Sequence, residues 1–197
     1  MVEMSPGSNE VEHLDETFTG DGFRGLTHSG HIFENCVFRG CDLKEARFEN
    51  ARFIECRFEA CDLSNLRPTG ARFRQCAFVE TKLVGVVWIS AADVINPEFL
   101  DSNLEMANFT GLKLKKSVFT GCNLRDADFS GTDLSDCDLR RSDFAGARFR
   151  ESNLAKADFR GAVNYLIDPT LNRVRGARFS LPEAQGLLAG LGVILES

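Results

Sequence analysis

Between residues 18 and 159 every phenylalanine stands a multiple of five residues from the others in its class. Phe18, Phe23, Phe33, Phe38, Phe48, Phe53, Phe58, Phe73 and Phe78 form one class. Phe99, Phe109, Phe119, Phe129, Phe144, Phe149 and Phe159 form a second, displaced by one residue. Leu43, Leu63 and Leu83, then Leu104, Leu114, Leu124, Leu134, Leu139 and Leu154, fill most of the gaps. A single one-residue slip between about 89 and 98 separates the classes. Neither the 3.6-residue period of a helix nor the 2.0-residue alternation of a strand produces this spacing.

The remaining positions of the repeat are equally restricted. Two residues before each central Phe or Leu stands a small side chain, as at Ala46, Ala51, Cys56, Cys61, Ser117 and Ala127. Two residues after it, Gly or Asn recurs, as at Gly40, Asn50, Gly70, Gly111 and Gly131. In an extended segment, positions i and i−2 point the same way, so the large and small residues both face inward. Gly or Asn supplies the positive φ that a tight corner needs. Each pentapeptide is then one side and one corner of a winding coil, stacked on itself at ~4.8 Å per layer.

The chain has 197 residues, enough for one domain with a core, or two small ones. A formal charge of −6, with both signs plentiful, does not describe a general nucleic-acid binder. Seven cysteines include no CxxC pair and follow no secretory leader, which suggests reduced thiols and a cytoplasmic location. No apolar run approaches the ~18 residues of a membrane span. Residues 1–16 hold five acids and no Lys or Arg, and 1–15 are expected to form a mobile acidic tail.

The runs "CDLKEARFEN" and "CNLRDADFSGTDLSDCDLRRSDFAGARFRESNLAKADFRG" resemble the pentapeptide-repeat proteins. That resemblance, over residues 16–161, implies an all-β solenoid: a right-handed quadrilateral β-helix with four pentapeptides per turn. About seven coils would make a rod ~35 Å long at the layer spacing. "LVGVVW" at 83–88, "AVNYLID" at 162–168 and "ARFSLPEAQGLLAGLG" at 177–192 look like segments of the topoisomerase-protecting members, the Qnr, MfpA and AlbG-like proteins. Membership of that group implies a dimer joined at the C-terminal ends, which imitates duplex DNA and engages DNA gyrase. Unlike Qnr, this sequence has no long loop inserted between coils.

With twenty residues per coil, Cys36, Cys56 and Cys76 stack in one column and Cys41 and Cys61 in the next. All five occupy the small inward position. A buried soft-metal or redox column is one reading. Small hydrophobes packed in a narrow interior is the other, and no His or carboxylate joins the columns. No metal and no cofactor is expected.

Three positions of the first run lack Phe, Leu or Trp: His28, Pro68 and Asp93. His28 reads as a ligand or as a variation at the rod's edge. Leu66 before Pro68 suggests that large and small are exchanged on that side. Asp93 would be a buried carboxylate, costly without a partner. Winding is expected to loosen at about 90–97, either as a bulge in which Ala92, Asp93, Ile95 and Asn96 could act in recognition, or as a simple correction of register.

After Gly161 the repeat stops, and 162–197 is expected to cap the coil and dimerise. Ser180 and Glu183 read as a capping box, with a short C-terminal helix from 181; "VIL" at 193–195 reads as a strand. The expected dimer interface comprises Phe179, Leu181, Leu187, Leu188, Leu191, Val193, Ile194 and Leu195.

Outward charges sort by side if the slip leaves the sides in place. Over 98–161, sides one and two carry Glu98, Asp101, Glu105, Asp126, Asp138, Asp143 and Asp158 against Arg125, Arg140, Arg141 and Arg160. Those acids form the candidate topoisomerase-binding surface; an ordinary solvated face is the alternative. There is no catalytic constellation, only three histidines, all within 13–31, and a core with no room for a substrate. The expected function is a non-enzymatic DNA mimic that binds DNA gyrase or topoisomerase IV and protects it from a quinolone- or albicidin-type poison. The expected partners include neither nucleic acid nor membrane. A rigid scaffold or adaptor for another protein is the second reading, and a metal-binding rod the third.

Overall fold

The computed structural model describes residues 11–194. Within them the five-residue pattern becomes three-residue strands that stack layer on layer. In chain order these are β1 (Glu12–Leu14), β2 (Thr17–Thr19), β3 (Ile32–Glu34), β4 (Val37–Arg39), β5 (Arg52–Ile54) and β6 (Arg57–Glu59). They continue as β7 (Arg72–Arg74), β8 (Ala77–Val79), β9 (Asp93–Ile95), β10 (Glu98–Leu100) and β11 (Val118–Thr120). The order β1-β3-β5-β7-β9 makes one parallel sheet and β2-β4-β6-β8-β10-β11 the other. The other two sides stack through isolated parallel bridges, among them Asp42↔Asp62↔Lys82 and Thr27↔Arg47↔Arg67. A four-sided all-β solenoid results.

Register shows why the period matters. Phe18, Phe38, Phe58 and Phe78 pair at steps of twenty residues on side one. Their rings stack at 4.9, 4.7 and 4.8 Å between centroids. Phe33, Phe53 and Phe73 do the same on side four, at 4.9 and 4.8 Å. Ring spacing therefore equals the strand spacing, and each ring is wedged by the layers above and below. Burying each one contributes about 2–3 kcal/mol. The corner residues take positive φ; at Gly70 (φ +68°) a Cβ would also collide with the Asn50 amide of the preceding layer.

All seven cysteines are free and buried in the small inward position. Most of their thiols donate to a carbonyl of the preceding layer: Cys56 Sγ to Phe33 O at 3.3 Å, Cys61 to Phe38 O at 3.2 Å, Cys137 to Leu114 O at 2.9 Å. Thr132, Ser142 and Ser152 make the same bond with hydroxyls, at 2.8, 2.7 and 2.8 Å. The column is thus one of packing and inter-layer hydrogen bonds. Burial pushes Cys41, Cys122 and Cys137 up to about 12.

The slip is absorbed within one layer. A 3₁₀ turn at Trp88–Ser90 takes up the additional residue, and Phe78 then pairs with Phe99 at a step of twenty-one. Val94, not Asp93, enters the core above Phe73. Asp93 faces outward, 3.5 Å from Arg74. The sides stay aligned. Ala92, Asp93, Ile95 and Asn96 do not protrude: β9 is paired with β7, and Asn96 turns the next corner at φ 47°. Pro68 is buried in its central position with Leu66 buried two residues before it, the exchange expected on that side.

Both ends differ from expectation. Residues 12–14, placed by composition in a mobile tail, form β1 and add to β3 because His13 falls in register with Phe33; residues 1–10 of that tail lie outside the described residues. Pairing does not stop at 161, since Asn153↔Arg173 and Asp158↔Arg178 carry it further. The helix α1 spans Gln185–Gly190, later than 181, and has no side-chain cap. The N-cap position is Ala184, four residues beyond Ser180, whose hydroxyl instead accepts from the Gly161 N–H at 3.0 Å. Val193 and Ile194 are in no strand, and Leu195 lies outside the described residues.

The seven thiols are expected to stay unreactive toward a thiol reagent at pH ~8, where free Cys is partly ionised, and to react together on unfolding. Cys61→Leu should cost about 1–3 kcal/mol through overpacking, and Cys61→Ala only about 1 kcal/mol. Denaturant titration measures both.

Candidate protein-binding surface

The outward position before each central residue is rich in Asp and Asn for a local reason. Asp62 Oδ1 accepts from the Ser64 N–H at 3.1 Å, Asp128 from Ser130 at 2.9 Å, and Asp143 from Ala145 at 3.0 Å. A side chain that bonds the backbone two residues on shapes the approach to a corner. Such acids belong to the coil before they belong to any surface.

This separates the expected acidic face into two groups. Asp138, Asp143 and Asp158 hold these corner bonds, and each also meets an arginine. Arg140 clasps Asp138 at 2.8 and 2.6 Å; Arg160 clasps Asp158 at 2.9 and 2.6 Å. Arg125 lies 3.3 Å from Asp143. The arginine hydrogen bonds hold Asp138 and Asp158 below the usual carboxylate range. Arg178 pairs in register above Asp158, so side one turns basic toward the C-terminal end. The like-charged stack of Asp138 over Asp158 is neutralised in place.

Glu98, Asp101, Glu105 and Asp126 make no ion pair among the described residues. Glu98 and Asp101 flank Phe99 on side one, Glu105 follows Leu104 on side two of the same layer, and Asp126 turns the corner one layer on. Glu80 and Asp101 occupy the same corner in consecutive layers, with φ 51° and 48°. Glu80 thus extends this group of unpaired acids by one layer; Glu34, Glu45 and Glu55 of earlier layers likewise make no ion pair among the described residues. Counting from residue 98 missed Glu80; the twenty-one-residue step across the slip was the signal that would have found it.

The expected dimer residues also divide. Phe179 stacks on Phe159 at 5.1 Å, and Leu187 packs against the core, so both close the coil. Leu181, Leu188, Leu191, Val193 and Ile194 face outward, with Leu181 86% and Ile194 85% exposed. Helix α1 lies close on 165–167 because a Cβ at Gly186 or Gly190 would strike the carbonyl oxygens of Tyr165 and Ile167.

Models of known families match the repeat directly: "Pentapeptide repeat region" over 31–109 and 51–129, and "Pentapeptide repeats (9 copies)" over 114–164. The chain belongs to the pentapeptide-repeat family. No curated protein sequence matches it. Among solved structures it is similar to trypsin-treated QnrB1, a plasmid-mediated fluoroquinolone resistance protein. The two share 19% identity and a TM-score of 0.52, covering 95% of this chain and 99% of the other. HetL, involved in heterocyst differentiation regulation in the cyanobacterium Nostoc sp. strain PCC 7120, is 16% identical with a TM-score of 0.45, covering 86% and 84%. At these identities the likeness is one of fold. No helix among the described residues of this pentapeptide-repeat protein is long and apolar enough to cross a membrane.

The arginine-clasped aspartates set an acid limb. Their folded values lie below the unfolded ones, so their stabilisation is full above the ordinary Asp value of about 4 and fades as pH falls below it. Asp138→Asn with Asp158→Asn keeps the corner acceptor and removes the charge. The double variant should unfold with a shallower dependence on pH below about 4 in denaturation followed by circular dichroism.

Proposed function

We propose that this protein is a dimeric, non-enzymatic mimic of DNA that binds DNA gyrase or topoisomerase IV and shields it from a poison of the quinolone or albicidin type. The observation that carries the reading is the unpaired acidic cluster of Glu80, Glu98, Asp101, Glu105 and Asp126 on a rigid rod. Rod-shaped acidity suits the basic surface with which a topoisomerase grips DNA, and its field would speed encounter. The resemblance of segments 162–168 and 177–192 to the topoisomerase-protecting group and the QnrB1-like architecture support the same direction. Binding would occupy the DNA-gripping surface and displace the poisoned complex.

Dimerisation would use the exposed apolar end formed by Leu181, Leu188, Leu191, Val193 and Ile194, a patch that water disfavours. Joining two rods there doubles the length presented to a two-fold symmetric enzyme. The second reading, an adaptor for another protein, is favoured by the neutralised state of Asp138 and Asp158, which leaves much of side one without net charge.

Two measurements test this reading. Supercoiling by purified gyrase, with and without poison, should be rescued by micromolar protein; absence of both rescue and inhibition would exclude the mimic. Reversing Glu98, Asp101 and Glu105 to Lys should weaken the effect by about tenfold or more, whereas D138N/D158N should change it little. In sedimentation, Leu181→Glu with Ile194→Glu should convert dimer to monomer while the coil's circular dichroism is retained.

A further inference from the structure

The three histidines of the chain meet where its first layer passes into the second: His13 and His28 lie in the first, and His31, which opens the second, touches both. His13 and His28 stand where later layers have aromatic residues. His13 stacks on Phe33 at 4.7 Å and 8°, and His28 on Phe48 at 5.4 Å and 25°. His31 holds the small inward position before Phe33. Its Nδ1 lies 3.3 Å from His13 Nε2, while His13 Nδ1 meets Glu16 Oε2 at 3.1 Å. The Nε2 of His28 is buried with no hydrogen-bond partner among the described residues.

We propose that the first layer of the rod, residues 11–30, is a proton-sensitive cap: neutral histidines at its boundary with the second layer hold it in place, and their protonation releases it. Phenylalanine would complete the same stacks at any pH, so histidine adds titration to a position that otherwise only packs. A hydrogen bond between two imidazole nitrogens needs one of them unprotonated. Full protonation sets N–H against N–H at 3.3 Å and adds a buried charge at His28.

Compensation is sparse. Glu16 is the only carboxylate within hydrogen-bonding distance of the three rings among the described residues, and it is exposed. Glu12 and Asp15 on the same layer stand on outward positions. From the layer beneath, Glu34 and Glu49 do so as well, while Arg47 offers His28 only its backbone carbonyl. The Cys36 thiol donates to the His13 carbonyl and is pushed up by burial, so it supplies no negative charge. Burial first, then the neighbouring histidines, holds His28 and His31 below the ordinary value. The sign follows: the released layer takes up more protons, so the cap is held fully above pH ~6.5 and loosens as pH falls below it. Release uncovers Phe33, Phe38 and Phe48 and the upper edges of β3 and β4, a sheet edge open to pairing.

Hydrogen exchange followed by mass spectrometry, at pH ~7.5 and ~5.5 and corrected for intrinsic rates, tests this on the full chain. Protection of residues 12–30 should be unchanged down to pH ~6.5 and fall below it by up to about tenfold per pH unit for each histidine that must stay neutral, while residues 52–120 keep theirs. His13→Phe with His28→Phe should flatten that dependence. Equal protection of the first layer at both pH values, or an undiminished loss in the double variant, overturns the proposal. If the double variant does not fold, ring-carbon NMR titration of the unaltered protein decides: His28 and His31 titrating at or above the ordinary histidine value also overturns it.

Discussion

Everything in this molecule depends on a match of two lengths. Parallel strands stack at ~4.8 Å, and the aromatic rings of successive layers stack at 4.7–5.0 Å between centroids. Backbone hydrogen bonds and side-chain packing therefore reinforce one another along one axis, without the compromise that twisted sheets require. The consequence is intolerance of insertion: one extra residue displaces every inward side chain that follows it. The 3₁₀ turn at Trp88 confines that displacement to a single layer, after which Phe99 resumes the Phe78 column.

The same economy of space gives polar residues two structural tasks. At the small inward position, thiols and hydroxyls donate to carbonyls of the layer before, so Cys, Ser and Thr tie layers that Ala merely fills. At the outward position before each large residue, Asp and Asn bond the backbone ahead of the corner. The abundance of cysteine and aspartate is thus explained largely by the coil. Function has to be sought in charges that no arginine engages, and Glu80, Glu98, Asp101 and Glu105 are four such acids in adjacent layers at mid-rod.

Much of the fold was legible because each inward position tolerates so few residue types. The Phe and Leu columns, the small position and the corner all follow from the period, whereas the alignment of sides across the slip is an assumption at the level of sequence and comes from the pairing of Phe78 with Phe99. Less of the surface could be read. Asp138 and Asp143 look alike to Asp126 in a count of charges, yet the first two are bonded to arginines and the last makes no ion pair among the described residues. The ends misled for a related reason: a capping box at Ser180 and Glu183 is a local signal, and Ser180 is engaged by Gly161, nineteen residues away.

The sequence by itself determined the period, the inward identities and hence a coil of stacked pentapeptides, because a narrow interior leaves almost no freedom of choice. Only the tertiary structure decided which acids are spent on corners and arginines. It also decided which apolar residues of the C-terminal segment close the coil and which face out, and that three histidines meet at the boundary of the first two layers. Some of those distinctions rest on contacts between layers, as between Arg125 and Asp143 or Phe159 and Phe179, and others on side-chain directions within one coil, as between Arg140 and Asp138, and an outward position by itself reveals neither.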